Sequence, residues 1–195
     1  DKWRDKEVNY YVEKEYEPYA KAIFGNTPEM MEFFSTKLSV PFPWNKYAQI
    51  AVRDYVSGAM ENTSATLHGE FIQRTDRELL NKNDENVISH ELFHQWFGDL
   101  VTCESWSNLP LNESFATYGE YLWDEYKYGT DEADLHSAES RAGYLAESSR
   151  KQVNLIRFYY GDKEEMFDGH SYNKGGQVLH MLRKYVGDEA FFASL

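Results

Sequence analysis

The chain has 195 residues, of which 42% are hydrophobic, 16% aromatic and 27% charged. This suits one globular domain with a core that needs no disulfide, and it rules out disorder over most of the length. A net charge of −13 argues against a nucleic-acid partner, the apolar runs are too short for a transmembrane span, and the one cysteine, Cys103, excludes an internal disulfide or a cysteine-built zinc cage. From the start, alternation at Val8, Tyr10 and Val12 predicts a strand. Thr27-Pro28-Glu29-Met30 predicts a helix start with Thr27 as N-cap and Pro28 at the first helical position. Met30, Met31, Phe33, Phe34 and Leu38 give that helix an apolar face, and Pro41-Phe42-Pro43 ends it. Strand-like alternation returns over Tyr47 to Val52 and Ala65 to Ile72. Gly58-Ala59-Met60-Glu61-Asn62 lies between them as an edge strand or its turn, with Met60 read as a core side chain.

Past Asn83-Asp84 the apolar period changes from two to about 3.6. Val87, Ile88, Leu92, Phe93 and Trp96 mark one amphipathic helix; Pro110 breaks the chain, and Leu111, Phe115, Tyr118 and Leu122 mark a second. Residues 131–152 predict a third helix with Asp131, Glu132 and Asp134 in its first turn, and Tyr172 to Tyr185 a fourth. Strands first and helices after argue an α+β fold with two lobes. Residues 99–150 hold 11 acidic and three basic residues, which reads as a solvated helix face or as a field that attracts cationic substrates. The chain has no initiator Met, and Ala190 to Leu195 stops inside an apolar, helix-like pattern. We read the whole of 1–195 as one domain excised from a longer multidomain chain.

The chemistry concentrates at His90-Glu91-Leu92-Phe93-His94. Residues four apart share a helix face, so both imidazoles can reach one ion, and zinc prefers such nitrogens. Glu91 lies about 100° further round, poorly placed as a ligand and well placed beside a metal-activated water as a general base. A third ligand is needed, and Glu113 supplies it: 18 residues lie between His94 and Glu113, enough to finish one helix, turn at Pro110 and start another. His68, His136, His170 and His180 have no ligand partner at useful spacing and read as structural or exposed. Cys103 reads as a small buried hydrophobe.

Four segments in order give the chain a family resemblance. They are Gly58-Ala59-Met60-Glu61-Asn62, the helix from His90 through Gln95-Trp96-Phe97-Gly98-Asp99, Asn112-Glu113-Ser114-Phe115-Ala116, and Tyr172-Asn173-Lys174-Gly175. From about Val8 to the end the chain resembles the catalytic domain of the aminopeptidase N family of zinc metallopeptidases, the gluzincins to which leukotriene hydrolases also belong. The resemblance implies a thermolysin-like two-lobed domain: a small mixed sheet first, a helical lobe after, and the zinc helix between. It implies one zinc ion per chain on His90, His94 and Glu113, with Glu91 as general base. Tyr172 would donate to the oxyanion, since a phenol is protonated at neutral pH. Glu61 would bind the free α-ammonium of a peptide substrate, and the backbone of Gly58 and Ala59, with Met60 and Asn62, would hold that peptide as an added strand.

The sequence departs from the family pattern in places. Ser114 stands where the family usually has Gly, and the small Ser57 precedes the Gly58 segment, which suggests a roomier or differently gated first specificity pocket. The resemblance further implies flanking domains that complete and enclose the site, and so a fragment that self-associates through exposed apolar faces. Two other classes share parts of the pattern: relatives whose peptide site also opens an epoxide lipid, and binding modules on a decayed protease fold. Decay usually removes the base or a ligand, and Glu91, His90, His94, Glu113 and Tyr172 are all present.

Overall fold

Five short strands carry the alternating or continuous apolar patterns of the first third of the sequence. The computed structural model describes all residues, Asp1–Leu195. Contacts divide them into two units, Asp1–Gln95 and Trp96–Leu195. In the first unit β1 (Lys2–Trp3), β2 (Lys6–Tyr11), β3 (Lys46–Val52), β4 (Ala59–Met60) and β5 (Ala65–Gly69) form one sheet in the order β1-β2-β3-β5-β4. The β2–β3 and β3–β5 pairs are parallel, while β1 and β4 run antiparallel to their neighbours. The sheet is therefore mixed. The expected strand over Ala65 to Ile72 ends early, because Glu70–Ile72 turns as a 3₁₀ helix.

Helices α1 (Ala20–Phe24), α2 (Thr27–Lys37), α3 (Asp76–Leu79) and α4 (Glu85–Phe93) complete this unit. Its core is aromatic: Phe24 stacks on Tyr10 at 5.3 Å, Phe34 meets Phe93 edge-on at 5.0 Å, and Phe42 packs between Trp3 and Tyr47. Thr27 does not cap α2. Its hydroxyl accepts from Gln49 Nε2 at 2.7 Å, both side chains being fully buried, and Asn26 stands at the N-cap. The buried Gln49 claims the hydroxyl that an N-cap would need. Gln49 Oε1 lies 3.0 Å from His68 Nε2, so His68 carries its proton on Nε2.

The second unit is helical: α5 (Pro110–Lys127), α6 (Thr130–Ser148), α7 (Gly175–Val186) and α8 (Asp188–Ala193), with a π-helical stretch His170–Lys174 leading into α7. Pro110 starts α5 at its first turn, as the missing N–H allows. Gly129, at φ +97°, makes the turn from α5 to α6, where side chains are strained. α6 ends at Ser148, four residues short of expectation. In chain order α4 follows the sheet and precedes the helical unit, as the last helix of the first unit.

Candidate active site

α4 follows Asp84, which stands at the N-cap position but makes no side-chain cap. Its buried carboxylate receives Arg74 at 2.6 Å and Lys82 at 3.4 Å. Ile88, Leu92 and Phe93 are buried, which sets the rotation of the helix and brings His90 and His94 to one side. His94 closes α4 at the C-cap, where its N–H still donates to the His90 carbonyl at 3.2 Å; Trp96, expected inside the helix, falls past its end. The two Nε2 atoms stand 3.2 Å apart with ring centroids at 4.8 Å. Two nitrogens at about 2.0–2.1 Å from one tetrahedral ion lie about 3.3 Å apart. The spacing of the pair therefore fits a zinc ion.

Glu91 is buried beside this pair, and Glu61, Glu91 and His94 each offer an atom within 4.8 Å of the other two. Glu61 Oε1 lies 4.0 Å from His94 Nδ1. Glu61 comes from the end of β4, the last strand in the sheet, whose outer edge carries no partner strand. The inner edge pairs with β5, where Gly69 N–H donates to the Gly58 carbonyl at 2.8 Å. Nothing crowds the α-carbon of Gly58. Met60 is 38% exposed, so it is not a core residue: an edge strand of two residues leaves it no layer to enter. An open edge of this kind can accept an extended peptide.

Two neighbours of this cluster were given no role by the sequence, although Gln95 lies in the His90 to Asp99 segment. Gln95, fully buried, ties its side-chain amide to the Glu61 carbonyl and the Ser64 N–H. Tyr55 stands near enough that burial, then the charges of Glu91 and Glu61, push its phenol up. Both depend on contacts between residues far apart in sequence.

In the second unit Glu113 sits in the first turn of α5 and is buried, with its N–H bonded to the Leu109 carbonyl at 3.0 Å. Ser114, the next residue, donates its hydroxyl to the Ser171 carbonyl at 2.6 Å. Gly175 permits that approach, because a Cβ there would lie 1.7 Å from Ser114 Oγ. Tyr172 follows Ser171 in the π-helical turn and is half-buried.

Asp168 fixes this turn from below. Its carboxylate accepts from the N–H groups of His170 and Ser171, from Arg157 at 2.7 and 2.9 Å, and from Lys151 at 2.6 Å. Burial alone would raise its pKa, but Arg157, Lys151 and the Ser171 N–H hold it at about 2. Glu147, Asp168 and His170 form a second group of possible ligands, which sequence spacing missed. With the Arg157 and Lys151 charges on Asp168, it is an ion-pair cluster.

Other expectations in this unit are met or corrected. His136 is structural, as expected: Nδ1 lies 2.8 Å from Asp124 and Nε2 3.6 Å from Glu120. Glu113, Glu120 and Asp124 are buried, so this part of the acidic stretch is not a solvated face. Cys103 is half-buried, its N–H taken by Asn112 Oδ1 at 3.1 Å.

Comparison with known proteins gives this arrangement its context. The Peptidase family M1 domain matches residues 23–195. The chain is 36% identical to Aminopeptidase M1 of Arabidopsis thaliana over 174 residues, which is 85% of this chain and 20% of that protein. It is 37% identical to Aminopeptidase N of Streptomyces lividans over 183 residues, 89% of this chain and 21% of that one. The crystal structure of the M1 zinc metallopeptidase from Deinococcus radiodurans superposes with a TM-score of 0.68 at 32% identity, covering 87% of this chain and 35% of that one. A variant of that enzyme bound to a Tyr-Ser-Ala substrate gives the same TM-score, 0.68. The chain spans about a fifth of the length of the curated relatives it matches. With the family domain matched over residues 23–195 and relatives above 30% identity across most of its length, the chain belongs to peptidase family M1.

Proposed function

We propose that this chain carries the catalytic site of a zinc-dependent aminopeptidase, which hydrolyses the N-terminal bond of peptides. The observation that carries the reading is the 3.2 Å approach of His90 Nε2 and His94 Nε2 beside the buried Glu91. Relatives named as aminopeptidases and neighbours named as zinc metallopeptidases support it. In this reading His90, His94 and Glu113 hold one zinc ion. Bound zinc would supply a Lewis acid for the scissile carbonyl and the attacking water. Glu91 takes the proton of that water and passes it to the leaving amine. Tyr172 donates a hydrogen bond to the oxygen that gains charge as the carbonyl is attacked. Glu61 pairs with the α-ammonium and so sets the first peptide bond, and no later one, beside Glu91. Gly58, Ala59, Met60 and Asn62 hold the backbone of the peptide along the open edge of β4.

The test is to strip the protein of metal and titrate zinc back while following bound zinc and release of N-terminal residues from aminoacyl anilides. One zinc per chain is expected. His94→Ala should lose it, and Glu91→Gln should keep it while turnover falls about 10²- to 10⁴-fold. Two zinc ions per chain, or parent-like turnover in Glu91→Gln, would overturn the assignment.

A further inference from the structure

We infer that Gln95 is a positioning residue that sets the enzyme's preference for a free N-terminal amine, by fixing Glu61 against the histidine helix. The inference rests on the proposed aminopeptidase reading and deepens it. Gln95 directly follows His94 and is fully buried. Its Nε2 donates to the Glu61 carbonyl at 2.8 Å, and its Oε1 accepts from the Ser64 N–H at 2.8 Å. The segment between these two contacts is a tight turn. Ala65 N–H bonds the Asn62 carbonyl at 2.7 Å, and Ser64 stands at φ +60°. Ser64 in turn passes its carbonyl to the Ala48 N–H at 2.9 Å, inside β3. One side-chain amide thus clasps both ends of the loop that carries the Glu61 carboxylate, and joins it to the residue beside a proposed metal ligand.

The polarity of the clasp cannot reverse. A backbone N–H only donates and a carbonyl only accepts, so Oε1 must face Ser64 and Nε2 must face Glu61. Glu at 95 has the same shape but places a carboxylate oxygen against the Glu61 carbonyl. Met at 95 keeps the bulk and loses both bonds. Either change frees Glu61 to drift from the point where it meets an ammonium, and displacements of about 1 Å can cost 10²-fold in rate. Substrates without that ammonium do not use Glu61 and should not register the change.

The experiment compares the zinc-loaded protein with Gln95→Met and Gln95→Glu, each also in a Glu61→Ala background. Hydrolysis of leucine 4-nitroanilide and its N-acetyl analogue gives the preference for a free amine. Calorimetric binding of leucine amide and N-acetylleucine amide gives the same ratio without turnover. Both Gln95 variants should lower kcat/KM for the free amine by about 10- to 100-fold and weaken leucine amide, with bound zinc and the acetylated compounds unchanged. In the Glu61→Ala background the same changes should move either ratio less than about twofold, because the residue they act through is gone. Equal losses on both compounds, or an undiminished loss without Glu61, would show that Gln95 serves only the fold. A parent with no preference for free amines overturns the aminopeptidase reading and this inference together; a parent with the preference and a neutral Gln95→Met overturns this inference alone.

Discussion

His68 shows how one buried side chain couples the sheet to pH. It lies on β5, fully buried, donating from Nε2 to Gln49 while Nδ1 has no partner. Desolvation lowers its pKa to about 3, so it is neutral wherever the fold is intact. The unfolded chain protonates the same ring near the ordinary value of about 6.5. Between those values the unfolded state binds the extra proton, so stability falls as pH falls, by at most about 1.4 kcal/mol per pH unit. His68→Gln keeps a neutral donor toward Gln49 and removes the titration. Urea unfolding at a series of pH values should give this variant a flatter dependence between pH 6.5 and 4.5, by up to one proton, whatever its stability at pH 7. Parallel slopes would mean that the ring takes its proton within the fold. Asp168 acts in the same sense at lower pH: its carboxyl is held at about 2, below its unfolded value, so the stability it adds above that value is lost as pH falls toward 2.

At the scale of elements, α5 and the start of α7 meet closely at Ser114 and Gly175. Ser114 and Gly175 cannot both carry larger side chains, because the space of a Cβ on Gly175 is already filled by Ser114 Oγ. Gly175→Ala should therefore cost about 1–3 kcal/mol by overpacking and break the Ser114–Ser171 bond. In a Ser114→Gly background the nearest atom would be the α-carbon of residue 114, at 3.4 Å, and the same substitution should cost far less. Thermal unfolding of the four proteins measures the coupling, and additive costs would show that the two helices yield independently.

The elements also show what a sequence can and cannot disclose. The His90–His94 pair was legible because the i, i+4 relation is local to one helix, and so were β2, β3, α5 and the edge strand at Ala59–Met60. Thr27 misled because its hydroxyl is claimed by Gln49 across the sheet, a partner no local pattern names. The π turn at Tyr172 was read as plain helix, since it is imposed by Asp168, Arg157 and Ser171 together. Gln95 was named only as part of a motif and Tyr55 not at all, for the same reason: their roles rest on contacts made only when the chain has folded.

At the scale of the whole molecule, surface chemistry sets two forces against each other. α7 exposes Val178, Met181, Leu182, Tyr185 and Val186, spaced three and four apart on one side, with Met181 at 70% and Tyr185 at 90% exposure. A continuous apolar stripe of this kind favours association. The net charge of −13 opposes it by repulsion between copies. Repulsion is screened within about 10 Å at 0.1 M salt and within about 3 Å at 1 M, whereas apolar attraction is not weakened by salt. Self-association of the chain should therefore rise with sodium chloride, as read by sedimentation velocity across a concentration series. Met181→Lys with Tyr185→Lys breaks the stripe and at the same time lowers the net negative charge. A fall in association in that variant cannot come from added repulsion, so it would locate the contact on α7. A parent that stays monomeric at every salt concentration, or a double variant that associates as the parent does, would show that the stripe is not the surface through which copies meet.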